Sequence, residues 1–362
     1  MIRAAVQVAP RKLELREFPR PNIGPDDGLL RIERCGICGS DVEQYQGHLG
    51  SGRPPSIPGH EMLGIVDEVG ERAAQRWGVQ AGDRVALQIG LPCRSCDLCL
   101  MGDPMSCRNG HTGYSSTPLS VEPSLWGGYA EYIYLHPNAI MHKMRKDLPA
   151  DLAVMFNPLG AGVRWAVQLG GTKIGETVLI LGPGQRGLCS VIAAKAAGAS
   201  TVIVTGLAKD EHKLKLAREY GADYTINVDQ ENTVERVKDI TNGLGADLVL
   251  DVTPIATQPV ADAVEAVRQG GRILVAGLKG GRLAEINTDR LINKNITLRG
   301  AFKVDAPAYK EAIRLIESGR FPELEKMHTH TFGLSDAARA IETLAGEVAG
   351  EEAIHVTIAP GQ

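Results

Sequence analysis

Four cysteines, Cys93, Cys96, Cys99 and Cys107, crowd into one short segment with the spacing C-x2-C-x2-C-x7-C. Two intervening residues let neighbouring thiolates converge on one tetrahedral ion, and Zn²⁺ accepts four sulfurs in a closed structural site. A thioredoxin-like redox pair needs only two cysteines at a helix start, and Asp97 beside them disfavours a thiolate. A zinc ribbon that reads nucleic acid uses similar spacing, but this lobe, about residues 90–110, carries few aromatics and no basic run. Upstream lie Cys38 and the pair His60-Glu61. A thiolate, an imidazole and a carboxylate make a zinc donor set with room left for water or substrate. From spacing alone, a buried structural Cys38 and a loop His60 explain these residues equally well. Cys189 stands alone in an Ala-rich helical stretch and reads as a small buried hydrophobe.

A second chemistry is written in glycine. The apolar run Thr177–Leu181 leads directly into Gly182-Pro183-Gly184-Gln185-Arg186-Gly187 and then into a helical pattern. Between strand and helix, G-x-G-x-x-G is a dinucleotide fingerprint. The first glycine makes the turn, the second admits the pyrophosphate to the backbone, and the third lets helix and strand pack closely. Helix N–H groups then hold the phosphates. The next strand, Thr201–Thr205, would ordinarily end in the acid that binds the adenosine ribose of NAD. Here it ends at Gly206, followed by Leu207-Ala208-Lys209-Asp210. Lys209 could meet the extra phosphate of NADP, Asp210 could reach the ribose, and no arginine is present. The expectation is NAD, with NADP possible.

These groups need elements to hold them. A chain of 362 residues exceeds one ordinary core, so two domains are expected. With 43% hydrophobic and 23% charged residues it reads as globular. A net charge of −4 offers no basic footprint, so neither nucleic acid nor an anionic membrane is an expected partner. No apolar stretch is long enough to span a bilayer. Met1–Val8 alternates like a strand rather than running apolar like a signal peptide, which predicts a cytoplasmic location. Cysteines kept in a reducing compartment are metal ligands or catalytic thiols before they are disulfides.

Residues 1 to about 150 are rich in Gly, Pro and short β-type runs such as 28–32 and 83–87. From Pro158 onward, a helical stretch over 161–169 gives way to strand–helix alternation. Strands are predicted at 177–181, 201–205, 224–228, 248–252, 272–276 and 296–299, with helices at 186–197, 211–220, 233–241 and 259–268. Apolar strands alternating with amphipathic helices predict a doubly wound parallel sheet covered on both faces. Helices at 306–318 and 335–344 and a strand at 353–358 close the chain.

Taken together and in this order, Gly36–Asp41, Gly59-His60-Glu61, the four-cysteine lobe, Gly127-Gly128-Tyr129-Ala130-Glu131-Tyr132 and the glycine turn resemble the zinc-containing medium-chain dehydrogenase/reductase family. The similarity spans essentially the whole chain and is nearest in look to sorbitol and threonine dehydrogenases. It implies an α/β protein with a GroES-like, mostly β catalytic domain at 1–156, a Rossmann domain at 157–297, and a C-terminal segment, 298–362, that returns to the catalytic domain. It also implies two zincs per chain. Cys38 and His60 would be catalytic-zinc ligands, with Glu61 a third ligand or exchangeable neighbour. Ser40 would pass on the alcohol proton, Asp41 would orient His60, and Gly277 and Leu278 would meet the nicotinamide. Cys35 is not a family ligand. Two residues depart from the pattern. Asn157, before Pro158-Leu159, stands where the family offers another zinc ligand, and Glu43 stands where it often has a relay histidine.

The reaction implied is hydride transfer between an alcohol, secondary or polyol, and NAD(P), giving a ketone or aldehyde. An NADPH-dependent carbonyl reductase is one alternative, motivated by Gly206 and Lys209. A non-catalytic nucleotide-binding redox sensor is another, motivated by Asn157 and Glu43. Trp126 and Tyr45 are candidates to line a substrate pocket, though core packing is the commoner fate of both. The partner expected is a small alcohol or carbonyl compound, and the family suggests a homodimer or homotetramer.

Overall fold

Alternating apolar residues in the first half of the chain build antiparallel sheet. The computed structural model describes residues 1–49, 52–109 and 113–362. Strands β1 (Ile2–Ala9) and β2 (Lys12–Phe18) form a hairpin. A larger sheet is laid down by β3 (Gly28–Ile37), β4 (Glu61–Val69), β5 (Arg84–Leu87), β6 (Tyr132–Leu135) and β7 (Met141–Lys143). β3 pairs with β4 and β6, β4 with β5, and β5 with β7, all antiparallel. Leu30, Ile32, Ile37, Met62, Val66 and Val85 from these strands are buried in one core, each worth about 1.5–3 kcal/mol as apolar surface withdrawn from water. Arg84 is buried with them. Its fork meets both oxygens of Glu33 at 2.8 and 2.6 Å, and its remaining nitrogen donates to the Leu148 carbonyl.

Asn157 opens a second unit that runs to Met327. Its strands are β8 (Thr177–Leu181), β9 (Thr201–Gly206), β10 (Tyr224–Asn227), β11 (Ala246–Asp251), β12 (Val267–Val275) and β13 (Thr297–Gly300). The six pair in parallel in the order β10-β9-β8-β11-β12-β13. This is the doubly wound order in which the chain reverses direction between β8 and β11. Leu179, Leu181, Ile203, Val249 and Ile273 are fully or almost fully buried, as a parallel sheet covered on both faces requires. The helix predicted over 259–268 spans Gln258–Ala266 instead. Val267 is already extended and pairs with Ala246, so β12 begins early, with a register shift before Leu248. The helical stretch over 161–169 is an α-helix at Phe156–Gly162 that widens to π pitch over Val163–Leu169.

The chain then returns to the first unit. β14 (His328–Phe332) pairs in parallel with β15 (His355–Ile358), and β15 pairs antiparallel with β3. The larger sheet thus has the order β14-β15-β3-β4-β5-β7, with β6 on β3. The first unit is accordingly Met1–Phe156 with His328–Gln362. A return beginning at residue 298 was expected, and it comes at His328. The intervening residues stay in the second unit because β13 is laddered to β12 and the helix Ala306–Glu317 packs on the Val163–Leu169 turns. No helix among the described residues is long and apolar enough to cross a membrane.

Candidate active site

Residues 38 and 60 are brought together by strand register. In the β3–β4 ladder Gly36 lies opposite Glu61 and Cys35 opposite Met62. Cys38, just past the end of β3, therefore stands beside His60, just before β4. Cys38 is extended (φ −119°) and caps the helix α1 (Gly39–Tyr45). Its Sγ lies 3.2 Å from His60 Nε2 and 2.9 Å from Ser40 Oγ. Asp41, buried in the first turn of α1, works in two directions. Its Oδ2 accepts the Cys38 backbone N–H at 2.9 Å, and its Oδ1 lies 3.1 Å from His60 Nδ1. A carboxylate on Nδ1 orients the ring with Nε2 toward the Cys38 sulfur, the arrangement that metal-binding histidines use. Burial pushes the imidazole pKa down, but Asp41 and Cys38 outweigh it, and His60 stands well above the usual histidine value.

The ligand atoms of Cys38, Asp41 and His60 all lie within 4.8 Å of one another. A thiolate with an oriented imidazole is a donor set suited to zinc. Glu61, expected as a third ligand or exchangeable neighbour, is not brought into this group. It lies in β4 opposite Gly36, fully buried, with Oε2 3.8 Å from His355 Nε2. A Cβ on Gly36 would come within 2.4 Å of that oxygen, so the carboxylate rests directly on the β3 backbone. His355 in turn faces His328, Nδ1 to Nδ1, at 3.4 Å. Ser40 is exposed. Glu43 pairs with His48, Oε2 to Nδ1 at 3.0 Å.

Cys93, Cys96, Cys99 and Cys107 also converge within 4.8 Å, all partly exposed. Backbone N–H groups aim at the sulfurs, Cys96 N at Cys93 Sγ and Cys93 N at Cys107 Sγ, each 3.3 Å. Donors from Ser95 and Cys96 pull the Cys93 thiol down to about 5, whereas burial and the neighbouring sulfurs push Cys99 up to about 12. Trp126 and Tyr45 are core residues rather than pocket walls. The Trp126 indole donates to the Val121 carbonyl, and the Tyr45 hydroxyl donates to Glu342. Cys35 and Cys189 are fully buried.

In the second unit the glycine turn sits at the C-terminal end of β8. Gly182 has φ +103°, and a Cβ on Gly187 would lie 2.0 Å from the Gly182 carbonyl, so both positions demand glycine. A Cβ on Gly184 would meet open space. Gly184 caps the helix α2 (Gln185–Ala196), whose first N–H groups face the same opening. A backbone cradle left open at a helix N-terminus fits a dinucleotide pyrophosphate. Gly206 is buried at the end of β9 and Lys209 is exposed beyond it. Gly277 packs on the Thr253 carbonyl, and Leu278 is half exposed at the end of β12.

Two sets of contacts here could not be read from the order of residues. Asp251, fully buried, holds Lys279 Nζ at 2.8 Å and accepts from Thr253 N and Oγ1 at 2.9 and 2.6 Å. A charged residue closing the apolar run Leu248-Val249-Leu250 was the available signal. Asn157, 2% exposed, donates from Nδ2 to the Tyr309 hydroxyl at 3.0 Å, and its Oδ1 accepts from Arg186 at 3.5 Å. Both ends of its amide are thus engaged within the second unit.

Comparison with known proteins identifies the family. Residues 24–146 match the alcohol dehydrogenase GroES-like domain, and residues 187–318 match the zinc-binding dehydrogenase domain. The chain is 43% identical to "Probable alcohol dehydrogenase adh" of Mycobacterium tuberculosis, over 99% of both proteins. The chain belongs to the zinc-type medium-chain alcohol dehydrogenase family. This dehydrogenase is also 32% identical to an erythritol/L-threitol dehydrogenase of Mycolicibacterium smegmatis, over 99% of this chain and 98% of that one. Among solved structures it matches an alcohol dehydrogenase of Thermotoga maritima with a TM-score of 0.87, 29% identity and 99% coverage of each. The fold is a GroES-like domain with a Rossmann domain. The dehydrogenase is an oxidoreductase that interconverts small alcohols and their carbonyl products with NAD(P) and zinc. Neither alternative reading, an NADPH-dependent carbonyl reductase or a non-catalytic nucleotide-binding redox sensor, is favoured.

Proposed function

We propose that the chemistry of this dehydrogenase is carried by Cys38, Ser40 and His60, with Asp41 as the residue that orients His60. The observation that carries this is the Cys38 Sγ–His60 Nε2 approach of 3.2 Å, with Nδ1 tied to Asp41. Cys38 and His60 would hold the catalytic zinc, which when bound supplies Lewis acidity to an alcohol or carbonyl oxygen. Ser40 takes the alcohol proton in oxidation and returns one in reduction. Glu61 is the acidic neighbour of the pair, packed on Gly36 and facing His355. Cys93, Cys96, Cys99 and Cys107 would hold a second, structural zinc, a role their closed four-sulfur set supports. On the cofactor side, Gly182, Gly184, Gln185, Arg186 and Gly187 receive the pyrophosphate. Gly206 and Lys209 lie toward the adenosine ribose, and Gly277 and Leu278 toward the nicotinamide.

Metal content of the full chain and of Cys38→Ala tests this. Two zincs should fall to one, with turnover abolished and the circular dichroism spectrum unchanged. Full activity in the variant would overturn the role of Cys38. The likeness to an erythritol/L-threitol dehydrogenase favours secondary alcohols and polyols as substrates, to be checked on a panel with both cofactors. A homodimer or homotetramer is favoured by β13, the terminal strand of its sheet. All four of its residues are exposed, and Ile292 and Phe302 are exposed close by in sequence. Light scattering would show a monomer if this is wrong. Five cysteines placed as thiolate ligands favour a reducing, cytoplasmic setting.

A further inference from the structure

The end of β9 has no side chain with which to tell NAD from NADP, and packing explains why. Gly206 is wedged in place: a Cβ there would come within 2.8 Å of Pro183 Cγ and 3.1 Å of Leu214 Cδ2. The usual acid cannot stand at this position without moving the glycine turn. The two backbone N–H groups that follow are already occupied. Leu207 N donates to Asp210 Oδ2 at 3.3 Å, and Ala208 N donates to Asp229 Oδ2 at 2.8 Å.

These two carboxylates differ. Asp210 is neutralised within its own turn by Lys213, at 2.8 Å. Asp229 arrives from the neighbouring strand. It follows β10, whose Asn227 lies opposite Gly206 in the parallel ladder, and its own N–H is held by Asn227 Oδ1 at 3.1 Å. It is exposed and forms no ion pair among the described residues. An uncompensated negative charge is thus pinned beside the terminus of the second strand of the dinucleotide fold.

We infer that Asp229 supplies, from the third strand, the carboxylate missing from the second, and that it sets a preference for NAD over NADP. This rests on the reading of the 182–187 turn as the cofactor cradle. A ribose 2′-hydroxyl can donate to a carboxylate, whereas a 2′-phosphate is repelled by one. Free backbone N–H groups in a loop would attract that phosphate, but those of Leu207 and Ala208 are taken by acids. Lys209 remains, a solvated point charge without the bidentate fork that phosphate recognition favours. The negative charge beside the loop opposes it.

Asp229→Asn tests the charge alone, because the amide oxygen can still accept the Ala208 N–H. Binding of NADH and of NADPH would be followed by fluorescence titration of the full zinc-loaded chain, so that the readout does not depend on turnover. Expected is NADH binding at least about tenfold tighter than NADPH in the parent, with that ratio falling by about tenfold or more in the variant, chiefly through NADPH. A parent that binds NADPH as well as NADH, or a ratio that moves less than about twofold in the variant, overturns the inference. Failure of both cofactors to bind the parent would strike at the glycine cradle itself, and Asp229 would fall with it.

Discussion

Gly184→Ala separates what the glycine turn does for folding from what it does for the cofactor. The residue has φ −65° and ψ 174°, a conformation alanine adopts freely, and the added methyl would meet nothing within 4 Å. Alanine is a slightly poorer helix cap than glycine but stiffens the unfolded chain, so stability should change by no more than about 0.5 kcal/mol. For a unit of this size that is a shift in Tm of about 2 °C or less. If a pyrophosphate approaches the backbone here, the methyl keeps it away. Losing one charge-assisted hydrogen bond costs about 1.5–3 kcal/mol, roughly a 10- to 150-fold rise in Kd for NADH. Gly187→Ala is the contrasting case, since its methyl would collide with the Gly182 carbonyl at 2.0 Å. Backbone must then move, and overpacking costs about 1–3 kcal/mol, so stability and affinity fall together. The assay is fluorescence titration with NADH beside a thermal melt of each variant. An unchanged Kd in Gly184→Ala with an unchanged Tm would refute the assignment of the open cradle to the pyrophosphate.

Three further outcomes are expected. Lys279→Met leaves Asp251 fully buried without the cation it now holds, which should cost about 3–5 kcal/mol in urea unfolding; Lys279→Met with Asp251→Leu should recover much of that, and a loss under about 1 kcal/mol in the single variant would contradict the pair's importance. His328 is pushed down to about 4, by burial first and by its neighbour His355 next. The unfolded chain, titrating near 6.5, binds the proton first, so stability should decline as pH falls from about 6.5 to 4 and level off below. His328→Gln should flatten that window relative to the parent, and equal slopes would count against the assignment. Replacing Tyr309 by Phe strips the Asn157 amide of its acceptor in a buried setting and should cost about 1–3 kcal/mol in a denaturant melt; a neutral result would mean that another group satisfies the amide.

The amino-acid sequence by itself determined the local patterns. The four-cysteine spacing, the glycine turn and the apolar strand runs each rest on residues near one another in the chain, where spacing constrains geometry. Strand positions in the parallel sheet were legible for the same reason, and errors fell at boundaries, as where Val267 leaves its helix early to pair with Ala246. What only the tertiary structure decided involves partners far apart. Nothing in the order of residues says that Gly36 lies opposite Glu61, the register that sets Cys38 against His60 while holding the Glu61 carboxylate down on the β3 backbone. The same holds for Asn157 between Tyr309 and Arg186, for Lys279 on Asp251, and for Asp229 at the Ala208 N–H. Each is a polar contact whose energy depends on burial and on a few tenths of an ångström. Those quantities exist only once sheets have paired and closed, so a sequence can present such groups without disclosing which will meet.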